Sequence, residues 1–244
     1  MALEIALLVV SVLIIIVGLV SGITSIWLAI KYYRFNRQEN SLGLTGMEIA
    51  RKILDDNELQ HIKVKRTGSL LFGNSYSHYF KKVRLRGLIR HETSITSMGM
   101  AAQKAALAIL DKEGDADMKK RIRLVPLITF GPFAFIPLIL IGAALDYYVF
   151  NASGTCTLAL GAIGLLFYVY SIVLSVLTLK TEKKAQNRAY GILEQDYHIT
   201  IDELSALKEL FRLYNIQYIN DIILSSLELL YTVLKLAMEA KRDN

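Results

Sequence analysis

Apolar residues fall along the chain in blocks. The first block, Ile5 to Ile30, carries no charge over 26 residues. That length is enough to cross about 30 Å of hydrocarbon with some tilt, so it predicts a transmembrane helix over 5–30. A cleaved signal peptide fits poorly, because no basic stretch precedes the block and the run is too long. Trp27, Tyr32 and Tyr33 stand where an interfacial aromatic belt would be. A second block at 124–150 and a third at 155–179 flank a short NASG, which predicts a helical hairpin. The second holds all 3 prolines, Pro126, Pro132 and Pro137, each expected to kink a membrane helix. Asp146 is expected at the interface. Asn151-Ala-Ser has the form of a glycosylation acceptor, too short a match to carry weight.

The segment 219–240 is ambiguous. Ser225, Glu228, Thr232, Lys235 and Glu239 recur at steps of three and four, one polar stripe on an apolar helix. It is expected as a fourth span with the stripe turned inward; the alternative is a helix lying along the surface.

The polar segments have their own signals. In SLGLTGMEIARKILDDNEL (41–59), Thr45 and Glu48 make a capping box ahead of the helical face Ile49, Ile53 and Leu54. From Ile62 to Leu88, β-branched and aromatic residues with turn signals at Gly68 and Gly73-Asn74 predict one or two short hairpins. TSITSMGMAAQKAALAIL (93–110) predicts a buried helix. The third span is expected to run on into water, since nothing breaks it before Gly191. Thr200 and Glu203 start a further helix of about fifteen residues with a second capping box. The fold class expected is a mainly α membrane protein of α+β type, with three to four spans and a short β-hairpin.

Charge adds an orientation. Residues 31–123 hold 19 basic and 10 acidic side chains, and 180–244 hold 9 and 10. The N-terminal stub and the hairpin hold no Lys or Arg. The positive-inside rule puts the N-terminus outside an integral cell-membrane protein and the segments 31–123 and 180–218 in the cytoplasm. Nucleic-acid binding is set aside as an account of the basic loop, because its charges flank membrane helices. With 53% apolar residues the chain is too apolar for disorder, and 20% charged residues is too many for a bundle wholly inside the membrane. A lone Cys156 excludes a disulfide framework and a cysteine zinc site.

Catalytic motifs are missing. His61, His78, His91 and His198 have no histidine neighbour three or four residues away. His91-Glu92 begins like HExxH, but the fifth position is Ile95. No nucleophile elbow, phosphate loop or dinucleotide fingerprint occurs. Spans one to three lack mid-depth ionisable residues, which argues against a transporter.

Three stretches nevertheless resemble the small membrane-embedded neutral zinc metallopeptidases, the YugP-like group, related in layout to HtpX-type proteases. SLGLTGMEIARKILDDNEL is similar to the family's S-x-G-L-T-G-x-E-x-A-R-x-I-L-D block. NSYSHYFKKVRL resembles D-H-Y-D-P-x-x-x-x-V-R-L. TSITSMGMAAQKAALAIL resembles T-S-I-x-x-x-G-V-A-A-H-E-x-G-H-A-I-Q. The resemblance covers about residues 5–240 and implies a metallopeptidase-like domain over 31–123 whose catalytic helix is 93–110.

At the motif positions the chain departs from the family. The first zinc-binding His falls on Gln103, the general base on Lys104, the conserved Gly on Ala106 and the second His on Leu107. The third ligand, a Glu, falls on Glu182, and the Asp two positions on is Lys184. The D-H-Y-D residues fall on Asn74, Ser75, Tyr76 and Ser77. Gln is a poor zinc ligand, Leu is none, and an ammonium cannot take a proton from water as a carboxylate does. The resemblance therefore implies a catalytically silent pseudoprotease, without zinc, acting as scaffold, adaptor or regulatory subunit. Its expected partners are the lipid bilayer and a membrane protein or a second copy of itself, with no nucleic acid. The alternative is an active protease with non-standard ligands, Glu182 joined by His78, His91 or His198. Lys104 and Glu182 are expected to pair, with Gln103 bonded nearby.

Overall fold

A computed structural model describes residues 2–67, 73–128, 131–150 and 154–242. The Asn151 triplet and the turn signal at Gly68 lie outside the described residues. The helices are α1 (Ala2–Asn36), α2 (Gly46–Asp56), α3 (Gly87–His91), α4 (Ile95–Lys112), α5 (Ala116–Ile128), α6 (Gly131–Leu145), α7 (Thr155–Gly191) and α8 (Ile201–Arg242). Strands β1 (Lys63–Arg66), β2 (Ser75–Ser77) and β3 (Lys82–Leu85) lie between α2 and α3. The chain divides into two compact units. The first comprises Met1–Val20, Arg121–Thr178 and Asn220–Asn244; the second comprises Ser21–Lys120 and Leu179–Ile219.

Among the described residues two helices are long and apolar enough to cross a membrane, Leu3–Asn36 and Thr155–Asp196. The expectation of three to four spans is corrected to these two candidates. The proline-bearing block is carried by α5, described to Ile128, and α6, described from Gly131, with residues 129–130 outside the described residues. Pro137 lies inside α6. At Asp146 α6 gives way to a π-helical turn, Asp146–Phe150, so no regular α-helix of spanning length is described in that block. In the last helix Glu228, Lys235 and Glu239 are exposed, so the stripe is not packed away inside the protein. That helix is one element of 42 residues, since no Gly or Pro interrupts Ile201 to Arg242.

In the first unit the apolar helices show bare faces. Leu8, Ile15 and Leu19 of α1 and Leu158 and Leu166 of α7 are all exposed, the pattern of helices solvated by lipid. The α6–α7 hairpin closes on Asp146, which is buried. Its carboxylate accepts the Cys156 and Thr157 N–H groups at 2.8 Å each and the Thr157 hydroxyl at 2.7 Å. It thereby satisfies free donors in the first turn of α7, the role of an N-cap supplied from the preceding helix. A side chain at Gly142 would stand 2.6 Å from the Thr157 Cα, so only glycine permits this approach. Tyr168 of α7 donates to Glu228 of α8 at 3.2 Å.

The second unit is built around α4. Every residue from Ile95 to Leu110 is buried. Ile49, Ala50, Ile53 and Leu54 of α2 cover one side, and Val83 and Leu85 of the sheet another. The sheet order is β1-β3-β2. β2 and β3 form the expected antiparallel hairpin, but β1 pairs with β3 in parallel. At Gly99 an added Cβ would collide with the Leu207 side chain, so this glycine lets α8 lie against α4. Both capping boxes form. Thr45 and Glu48 bond reciprocally at the start of α2. Glu203 accepts the Thr200 N–H and hydroxyl at 2.8 Å each, and also the Ser41 N–H and hydroxyl at 2.6 Å each. One side chain thus starts α8 and ties down the loop before α2.

Candidate functional site

Helix α4 begins at Ser94, whose hydroxyl oxygen caps the Ser97 N–H at 3.1 Å. Small residues around the middle of the helix, Ala101, Ala102, Ala105, Ala106 and Ala108, let neighbouring elements approach closely. Two polar side chains sit in this buried stretch, Gln103 and Lys104. A buried ammonium without a partner is expensive, so its surroundings must supply a counter-charge. Glu182 of α7 does so. Lys104 Nζ donates to Glu182 Oε2 at 2.7 Å, and Gln103 Nε2 donates to the same oxygen at 2.9 Å. The Lys104 and Glu182 side chains are only 10% and 17% exposed. Leu107 is fully buried, with Ala185 and Ala189 of α7 also in the core. The structure therefore brings together Gln103, Lys104 and Glu182, residues 78 and 79 positions apart in the chain.

The arrangement puts an ammonium and an amide N–H on one carboxylate oxygen. Lys104 offers three N–H donors and no acceptor, and it is charged to match Glu182. Among the described residues no three His, Cys, Asp or Glu side chains converge as a metal would need. His78 is engaged elsewhere, and His61, His91 and His198 are exposed.

A second cluster lies on the same face of α4, two turns on from Lys104, and sequence reasoning missed it. The Asp111 carboxylate accepts from Tyr76 Oη at 2.6 Å and lies 2.6 Å from His78 Nδ1. Burial first, then the Asp111 carboxylate, pushes the Tyr76 phenol well above its ordinary range. The seven-residue step from Lys104 to Asp111 was the available signal, since it repeats one helical face. Of the other positions in that block, Asn74 accepts the Arg86 N–H at 2.7 Å. Ser75 and Ser77 flank Tyr76 on β2.

A third cluster joins α7 to the loop after α4 and to the first turn of α5. Lys184 donates to Asp115 at 2.6 Å and to Asp117 at 2.7 Å; Lys180 lies 3.2 Å from Asp117, and Arg188 reaches Glu113 at 2.7 Å. The bond from Lys184 is the first cause holding the Asp117 carboxyl below its usual range. The steps 180, 184 and 188 place three cations on one stripe of α7, which fixes the part of the helix that carries Glu182.

Comparison with known proteins gives the family. The family described as "Putative neutral zinc metallopeptidase" matches residues 10–237. A relative, "Putative membrane protease YugP" of Bacillus subtilis (strain 168), is 24% identical over 203 residues, 83% of this chain and 85% of that protein. No solved structure matches. Two helices long and apolar enough for a bilayer agree with a membrane-associated protein. With nearly its whole length matched, the chain belongs to the neutral zinc metallopeptidase family.

Proposed function

We propose that this protein is a catalytically silent member of its family, a pseudoprotease that keeps the scaffold and serves a membrane assembly as adaptor or regulatory subunit. The observation that carries the reading is the Lys104–Glu182 contact at 2.7 Å, at the positions where the family resemblance puts the general base and a ligand. The donor set does not fit zinc. Zinc is held by thiolate, imidazole or carboxylate, and these positions offer an amide, an ammonium and a leucine beside one carboxylate. Lys104 already donates to the carboxylate oxygen a metal would use, and its charge opposes a dication. Lys104 also cannot serve as the base that a metalloprotease needs to activate water. The ammonium takes over the electrostatic role of the ion, and Leu107 with the alanines of α4 fills the space around it.

The Lys and Arg residues flanking the apolar helices support an N-terminus outside and the polar segments in the cytoplasm. The partner is a membrane protein or a second copy, and the polar stripe Ser225 to Glu239 is the contact surface in this reading. Metal analysis by mass spectrometry on the purified wild type and Glu182→Ala, alongside a peptide-hydrolysis assay, tests the proposal. Less than a tenth of an equivalent of zinc and no hydrolysis are expected of both. Stoichiometric zinc that disappears in Glu182→Ala overturns it.

A further inference from the structure

The outer face of the three-stranded sheet is a grid of cations. In the parallel pairing of β1 and β3, Lys63 stands opposite Lys82 and Lys65 opposite Arg84. On the far side of β3, Ser77 aligns with Lys82 and Ser75 with Arg84. The alternate positions face inward: Val83 and Leu85 are buried, and Tyr76 reaches Asp111 on α4. Like charges directly opposite each other destabilise a sheet, yet two such pairs stand side by side. Among the described residues none of the four cations has a carboxylate partner within 4.0 Å. Partial burial, and then the charges of Arg84 and Lys65, depress the Lys82 ammonium. Beside the grid, Phe80 is 67% exposed, with Lys82 Nζ 4.4 Å and the Arg84 guanidinium 5.7 Å from its ring centroid.

We propose that this sheet face, Lys63, Lys65, Lys82 and Arg84 with Phe80 at its border, docks on the anionic lipid headgroups of a bilayer. The face is short of what other anionic partners need. A nucleic-acid platform stacks bases on aromatic rings projecting from its strands, and the outward strand positions here are lysine, arginine and serine. A specific protein interface has a desolvated anchor at its centre, and the centre of this grid is charge. A headgroup layer asks only for clustered cations and an aromatic at the water–lipid boundary. Two helices fit for a bilayer keep such a surface at high local concentration.

The test uses the full chain in proteoliposomes, with Ser77→Cys in a Cys156→Ser background carrying a fluorophore. Both leaflets have one composition, so orientation does not matter. Nitroxide-headgroup lipid should quench the label at least about threefold more with about 30 mol% phosphatidylserine than in phosphatidylcholine alone. About 1 M salt should remove the difference, since screening shortens the Debye length to about 3 Å. Charge reversal at Lys63, Lys65, Lys82 and Arg84 together should abolish it while circular dichroism stays unchanged; if that variant misfolds, the four glutamine substitutions replace it. Equal quenching in both lipids, indifference to salt, or a neutralised variant that behaves as wild type overturns the proposal. So does protection of the label by an added RNA or polyglutamate with no response to phosphatidylserine, which would assign the face to an acidic macromolecule.

Discussion

Replacing Lys104 by methionine keeps the bulk of the side chain and removes its charge. Glu182 then keeps the Gln103 amide as a donor but loses its counter-charge from α4. Breaking a buried ion pair by removing one partner costs about 3–5 kcal/mol, because the survivor stays desolvated. Exposures of 10% and 17% let some water reach the carboxylate, so about 3 kcal/mol is expected for Lys104→Met. For a chain of this size that corresponds to a fall in Tm of about 6–12 °C. Glu182→Gln should cost about 2 kcal/mol, leaving the ammonium an amide oxygen in place of a carboxylate. The double variant should melt no lower than Lys104→Met alone, since an amide at 182 can bond Gln103 with no orphaned charge between them. Thermal unfolding of the purified protein in a mild detergent, followed by circular dichroism, measures all three. Single variants within 2 °C of wild type, or strictly additive losses, would refute the coupling and with it the idea that the ammonium stands in for a metal.

Three other outcomes follow from the same structure. Gln103→His, Lys104→Glu and Leu107→His combined would set two imidazoles and a carboxylate beside Glu182, and about one zinc per chain is expected by mass spectrometry. Acid should destabilise the protein partly through Glu203. Burial pushes its carboxyl up, but the bonds from Ser41 and Thr200 outweigh this and hold it below the ordinary value. A depressed carboxyl stabilises above its unfolded value of about 4.3 and loses that contribution as pH falls through the lower folded value. The Tm gap between wild type and Glu203→Gln should therefore be widest near neutrality and close below about pH 4. Gly99→Ala should lower stability by about 1–3 kcal/mol through its collision with Leu207, and Leu207→Ala in the same chain should recover part of that loss in urea unfolding.

Local features of the chain are legible without its fold. The capping boxes at Thr45 and Thr200 were legible because each needs only two side chains three residues apart. The α4 helix and its buried character followed from its run of alanine and apolar residues. The interest in Gln103, Lys104 and Leu107 came from the resemblance, and no spacing rule would have singled them out. Tertiary structure decided what depends on distant partners. It carries Glu182 to Lys104 across 78 residues, and Asp111 to Tyr76 and His78 across 35 and 33. It pairs β1 with β3 in parallel, although chain order suggested hairpins. Among the described residues it leaves two helices fit to span, because an apolar block can span only where a helix is long enough and nearly free of charge. Composition counts residues, but helix continuity, strand pairing and the meeting of opposite charges are properties of the packed chain.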